Sequence, residues 1–235
     1  MLRSVLKSLR GSDWSLALDF LSPSFFEVVP TLGMTRLITT LTKNSMNREL
    51  YESTAGTWLP IQRGLQDSQE PPGQLVLKLY FAAFLGPRPC FLDLRAERFQ
   101  TGSWNPQPWI FAFSDDFTSA MRRVYQGFYE NEPQLFQDGL KALDLQHSEE
   151  LFLDLFGRVQ DGTMVFRLQD FRDSFHRIFV SCKENKTSLH PEFLPLGLLL
   201  FSLYEHAEHL GLPLSPAEAW RSVRLYFSKS KGESA

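Results

Sequence analysis

The chain has 235 residues, of which 43% are hydrophobic and 22% are charged, and its formal net charge is -3. This composition is typical of a globular protein with a substantial core and excludes a disordered chain. The slight acidic excess leaves no basic face for phosphates, so we expect no nucleic-acid binding. The two cysteines, Cys90 and Cys182, cannot build a disulfide framework, which favours a reducing compartment and a cytoplasmic location.

The first ten residues combine apolar side chains on one possible helix face with basic neighbours. A helix of about ten residues is unstable alone in water, so another surface must hold it. Docking on the rest of the chain is favoured over lipid binding, because docking needs no membrane. The apolar positions are Leu2, Val5, Leu6 and Leu9, and the basic ones are Arg3, Lys7 and Arg10.

Hydrophobic residues recur at helical spacing over most of the remaining chain. Residues 48–64 are ambiguous because Gly56 and Pro60 interrupt the pattern, and residues 66–73 have the composition of a linker. We therefore divide the chain into three parts. These are an N-terminal helical segment (1–74), a helical domain (75–228) and a disordered tail (229–235).

Two short extended runs interrupt the helices. Residues 90–92 (Cys-Phe-Leu) and 109–113 (Trp-Ile-Phe-Ala-Phe) flank a loop rich in glycine and proline, which indicates a hairpin. The predicted fold class is therefore mainly α, with one short β-hairpin. Asp93 follows the first run and Asp116 follows the second, so we expect both carboxylates at the same end of the hairpin.

The last two predicted helices have clear start signals. Pro191 and Pro216 occupy first-turn positions, Ser215 begins a capping box, and Gly211 suits the position just after a helix. A connection of about four residues favours antiparallel neighbours. The side chains expected at their contact are Leu199, Leu203, Trp220 and Val223.

Three features carry candidate chemistry. Asp93 and Asp116 together could bind Mg²⁺ through oxygen ligands, although Asp115 or Asp116 is more simply explained as a helix N-cap. His206 and His209 lie one helical turn apart, but a metal needs further ligands, and we expect both side chains to be partly solvated. The 21 phenylalanines are mainly core residues, with the lining of a lipid or quinone pocket as the alternative.

The order of elements after residue 75 resembles a known family. A helix ends near Leu85, and residues 91–98 read Phe-Leu-Asp-Leu-Arg-Ala-Glu-Arg; an extended run then leads into Asp116-Phe117-Thr118, and residues 189–194 precede a long apolar helix. From about 75 to 227 the chain resembles the C-terminal lobe of the UbiB-type atypical protein-kinase-like family, which is linked to quinone biosynthesis. That family has a catalytic loop H-x-D-x-H-P-x-N followed by D-F-G.

The resemblance implies a degenerate protein-kinase-like C-lobe. Asp93 matches the catalytic-loop aspartate and Asp116 that of D-F-G, but the preceding residues contain no counterpart of the nucleotide-binding lobe. The histidines, proline and asparagine of the family's loop are replaced by Phe91, Arg95, Ala96 and Arg98. These departures imply a non-catalytic module without cofactors, acting through a protein partner or through peripheral membrane or lipid contacts. The alternative is a phosphoryl-transfer enzyme that uses Mg²⁺ and ATP.

Overall fold

The structure is a computed structural model that describes residues 27–100, 103–157 and 162–232. The amphipathic segment predicted for residues 1–10 lies outside this part of the chain. The described residues contain nine α-helices and four short strands, so the prediction of a mainly α fold is confirmed. The helices are α1 (Thr31–Ser45), α2 (Arg48–Leu65), α3 (Pro72–Leu85), α4 (Asp115–Tyr129), α5 (Pro133–Ala142), α6 (Glu149–Phe156), α7 (Leu168–Glu184), α8 (Phe193–Leu210) and α9 (Pro216–Gly232).

The predicted hairpin is present. Strand β1 (Cys90–Phe91) pairs antiparallel with β4 (Ile110–Phe111), with Cys90 opposite Phe111. The loop between them, which the sequence analysis left without strands, contains a second pair, β2 (Phe99–Gln100) and β3 (Ser103–Trp104). The rings of Phe99 and Trp104 stack across this second pair, and such cross-strand aromatic contacts stabilise short ladders.

The ambiguous segment is one uninterrupted helix, α2. The side chain of Asn47 caps its N-terminus by accepting the N–H of Leu50 at 3.1 Å. Pro60 lies inside the helix and deprives the carbonyl of Gly56 of its usual donor, yet the helix continues. The buried face of α2, which includes Trp58 and Ile61, outweighs this local loss because helical stability comes mostly from packing.

Helix α3 is the centre of the molecule. It is buried on nearly all sides and packs against α2, α4, α8 and α9. One continuous hydrophobic core joins residues from both sides of position 74, including Trp58 and Trp220, so the predicted N-terminal segment shares its core with the rest of the chain. An apolar helix with no polar face is typical of such a central position.

Helices α8 and α9 are not extensively packed against each other, in contrast to the prediction. Each packs on α3 instead, and the connection between them is held by a backbone bridge between Met164 and Leu214. The buried side chain of Gln74 fixes the start of α9, since it accepts the N–H of Ser215 at 3.1 Å and donates to its carbonyl at 2.7 Å. Gly211 ends α8 with a φ of 63°, as its position predicted.

The C-terminal boundary also differs from the expectation. Helix α9 extends to Gly232, so residues 229–232 are helical and do not belong to a disordered tail. The predicted helix starts at Pro191 and Ser215 are each placed within two residues of the observed starts, Phe193 and Pro216.

Candidate functional site

Asp93 is completely buried directly after strand β1. Its Oδ1 accepts a hydrogen bond from Nε of Arg95 at 2.7 Å, and its Oδ2 accepts bonds from Nη2 of Arg95 at 3.1 Å and Nε of Arg98 at 3.0 Å. The backbone N–H of Gln107 adds a further bond to Oδ2 at 3.1 Å. Bonds of this kind between ions are short and strong, and here they fill the carboxylate's acceptor positions.

A second carboxylate completes the charge balance around Asp93. Glu97 lies 3.3 Å from Nη1 of Arg95 and 2.6 Å from Nη2 of Arg98, so two carboxylates face two guanidinium groups. The guanidinium of Arg95 also lies over the ring of Trp109, 4.5 Å from its centroid. The network is neutral as a whole, and its geometry is that of a structural clamp on the loop between β1 and β4.

The structure does not bring Asp93 and Asp116 together. Because β1 and β4 are antiparallel, a residue that follows β1 and a residue that follows β4 leave the pair at opposite ends, so the expectation of a shared end was wrong. The described residues also contain no group of three or more histidine, cysteine, aspartate or glutamate side chains arranged to hold a metal ion. The two carboxylates predicted to bind Mg²⁺ are therefore in separate surroundings.

Asp116 has an ordinary helical role. It is exposed in the first turn of α4, where negative charge interacts favourably with the helix dipole. The N-cap is Ser114, whose Oγ accepts the N–H of Phe117 at 3.3 Å, and neither Asp115 nor Asp116 takes that role. Asp115 pairs instead with Arg88.

The two histidines of α8 differ in exposure. His209 is exposed, but His206 is buried, so the expectation that both are partly solvated was wrong for His206. Nδ1 of His206 lies 2.8 Å from the carbonyl oxygen of Leu94, to which it donates, and burial lowers the pKa of its imidazole. Both histidines line a cleft of about 640 Å³ with carboxylates that include Glu97 and Glu205.

A second space in the molecule is apolar. A cavity of about 70 Å³ lies among α3, α4, α6, α7 and α8. Its walls are aromatic and aliphatic side chains from all five helices, such as Phe81, Met121, Phe152, Ile178 and Leu196. Four of the lining residues are half-buried; they are Tyr129, Leu155, Phe156 and Leu200.

Four tyrosines line this cavity, Tyr80, Tyr125, Tyr129 and Tyr204, and two of them form a hydrogen-bonded pair. Tyr80 on α3 and Tyr125 on α4 line it, both are 3% exposed, and their hydroxyls are hydrogen-bonded to each other. Burial raises the pKa of both phenols above the ordinary value of 10.0, so they remain protonated at physiological pH. The ring of Trp220 lies 5.9 Å from that of Tyr125, directly behind the pair.

An apolar pocket was expected only as the alternative explanation of the many phenylalanines. Tyr80 and Tyr125 are 45 residues apart, so no local pattern connects them. Their separate positions on the apolar faces of two predicted helices were the only available signal.

Comparison with protein-family models, with curated proteins and with solved structures finds no match to this chain. The resemblance to the UbiB-type family therefore stays a prediction that rests on the residues quoted for it. In the described parts of the chain, no helix combines the length and the apolar character that crossing a membrane requires.

Proposed function

We propose that this chain is a non-catalytic helical module that binds an apolar small molecule, or the apolar part of a lipid, in the cavity among α3, α4, α6, α7 and α8. The observation that carries the proposal is the cavity itself, with apolar walls and a buried pair of tyrosine hydroxyls. Binding sites for small molecules are commonly concave, mostly apolar and provided with a few polar groups that fix orientation.

The energetics of an empty cavity support this function. Unfilled volume in a core costs about 24 cal/mol per Å³, so a cavity of about 70 Å³ costs roughly 1.7 kcal/mol when nothing occupies it. Apolar cavities of this kind stay dry and accept apolar molecules, because water finds too few partners there. A small group, such as the end of an alkyl or isoprenoid chain, recovers the missing contacts, while the rest of the ligand leaves past Tyr129 and Leu200.

The alternative, Mg²⁺-dependent phosphoryl transfer through Asp93 and Asp116, has weaker support. Asp93 already accepts bonds from two arginines, and Asp116 is exposed at the other end of the hairpin. A magnesium ion at Asp93 would have to displace guanidinium groups and would face their positive charge.

The kinase-like C-lobe and the connection to quinone or lipid metabolism remain part of the proposal, on the order of elements alone. An apolar cavity suits a module that acts on or near lipid-soluble molecules. Contact with a protein partner or with a membrane surface, and the cytoplasmic location expected from the cysteines, also stay predictions.

The proposal is tested with 2-methyl-1-nonene, an apolar hydrocarbon with a slender, flexible chain. Thermal unfolding with and without this probe should show a concentration-dependent rise in Tm, because a ligand that binds only the folded state stabilises it. Leu200→Trp, which adds a large ring to the cavity wall, should reduce the apparent affinity at least tenfold.

The matched control is Leu225→Trp, the same change at a side chain that is 61% exposed on α9. This variant should bind the probe as the unchanged protein does. Absence of saturable binding by the unchanged protein, or equal binding by Leu200→Trp and Leu225→Trp, would reject the cavity as the binding site.

A further inference from the structure

We infer that the ligand of the cavity carries a hydrogen-bond acceptor oxygen, such as a ketone, quinone or ester carbonyl, which the Tyr80–Tyr125 hydroxyl pair receives. This inference rests on the proposed function and adds the chemical class of the ligand. It follows from the stoichiometry of the two hydroxyls.

Two phenol groups carry two O–H hydrogens, and the bond between Tyr80 and Tyr125 uses one of them. The hydroxyl that accepts this bond keeps its own hydrogen. Within the described residues, neither hydroxyl has a further hydrogen-bond partner besides the other. The pair therefore keeps one O–H hydrogen that the bond between the two residues does not use.

Because the donor is buried, it favours binding of a ligand that carries an acceptor oxygen. Tyr80 and Tyr125 are both almost completely buried, since only 3% of each residue is exposed. A buried donor without an acceptor loses the hydrogen bonds that water would give it, and an acceptor oxygen on the ligand restores one. A donor that already accepts a bond from a neighbouring hydroxyl is also polarised, which strengthens the bond it donates.

The same pair disfavours other ligand chemistries. Both phenols stay neutral, so they offer no charge to pair with an ammonium or a phosphate, and the remaining walls are apolar except for the tyrosines Tyr129 and Tyr204. A purely hydrocarbon ligand leaves the donor unsatisfied. The favoured ligand is therefore a neutral, largely apolar molecule with a carbonyl near the end that enters first.

The test compares two probes of nearly equal shape, 2-nonanone and 2-methyl-1-nonene, which differ by an oxygen in place of a methylene group. Affinities of both probes are measured by calorimetry for the unchanged protein and for Tyr80→Phe, Tyr125→Phe and the double variant. The ratio of the two affinities is compared between the unchanged protein and the variants. The difference in the cost of removing the two probes from water is the same for every protein and therefore cancels.

We expect the preference for the ketone, expressed as the ratio of the two affinities, to fall about 5- to 10-fold in the double variant. Of the single variants, the one that removes the ligand-facing hydroxyl should lose the preference, while affinity for the hydrocarbon stays similar in all four proteins. Replacing both partners of a hydrogen bond by phenylalanine is close to neutral for folding, so the double variant should remain folded.

The outcomes separate this inference from the proposed function. If the unchanged protein binds neither probe, the cavity is not a ligand site and both statements fail. If it binds both probes and the ratio is the same in the double variant, the apolar site stands and the carbonyl assignment is rejected. A fall in the ratio with retained hydrocarbon binding supports both.

Discussion

Replacement of Asp93 by asparagine tests whether the buried carboxylate is structural. In Asp93→Asn the amide group keeps one acceptor oxygen and places an NH₂ group at the other oxygen position, facing donors. An NH₂ group at the Oδ1 position removes the acceptor of Nε and of the backbone N–H of Arg95. An NH₂ group at the Oδ2 position removes the acceptor of three donors. In either orientation the negative charge of Asp93 beside the two guanidinium groups is lost, while Glu97 remains in contact with both.

The expected cost follows from these losses. One donor left without an acceptor costs about 1–3 kcal/mol. Removing one partner of a buried ion pair typically costs about 3–5 kcal/mol, because the remaining charge is uncompensated. We therefore expect Asp93→Asn to lower the free energy of unfolding by about 3–5 kcal/mol.

Urea denaturation followed by circular dichroism measures this loss. With a slope of about 3 kcal/mol per molar urea, the transition midpoint should fall by about 1 M or more. Asp116→Asn is the control, since that exposed carboxylate contributes only about 0.3–1 kcal/mol through the helix dipole. A loss below about 1 kcal/mol in Asp93→Asn, or a stabilisation by Mg²⁺ that Asp93→Asn abolishes, would refute the structural role.

Three further predictions concern packing, hydrogen bonding and pH. Gly127→Ala should lower the free energy of unfolding, measured in urea, by at least about 2 kcal/mol, because the added Cβ would lie 2.3 Å from a backbone nitrogen of α5. The control Gly56→Ala, in open space within α2, should raise it by about 0.5–1 kcal/mol. Equal effects of the two substitutions would contradict the close approach of α4 and α5. Gln74→Met should cost about 1–3 kcal/mol by leaving the buried N–H of Ser215 without a partner, while the carbonyl of Ser215 keeps the N–H of Ala219 at 3.1 Å. A loss under about 0.5 kcal/mol, the size of an ordinary surface change, would argue against the bond to this N–H. Burial lowers the pKa of His206 in the folded protein below its ordinary 6.5. As the pH falls, the unfolded chain therefore binds a proton at this residue before the folded protein does, and the free energy of unfolding decreases. The contribution of His206 to stability is complete above pH 6.5 and is lost as the pH falls below that value. Unfolding free energies from pH 7.5 to 5.5 should therefore fall less steeply in His206→Asn, and an unchanged slope would contradict this assignment.

Several elements could be predicted from local sequence because their signals are local. The hairpin of β1 and β4 follows from two extended runs around a loop, and the end of α8 follows from Gly211, which adopts the left-handed conformation that glycine tolerates best. Helix α2 shows the limit of this reasoning. Gly56 and Pro60 weaken a helix locally, and only the packing of the rest of its face decides that it continues.

The candidate site depended on distant pairings. The sequence alone showed that Asp93 follows an extended run, but not that Arg95, Arg98 and the backbone of Gln107 would close on it. The expectation that Asp93 and Asp116 share one end of the hairpin was wrong because β1 and β4 run in opposite directions, so the residues that follow the two strands lie at opposite ends.

The sequence by itself determined the helical class, the position of the hairpin and most helix boundaries, because periodicity, capping residues and turn residues act over a few positions. The tertiary structure decided which helices meet. Helix α3 is buried on nearly all sides, so both α8 and α9 pack mainly on it and not extensively on each other, contrary to what their short connection had suggested. The same packing places Tyr80 beside Tyr125 at the cavity, a contact across 45 residues that depends on how five helices fit together and on no local pattern.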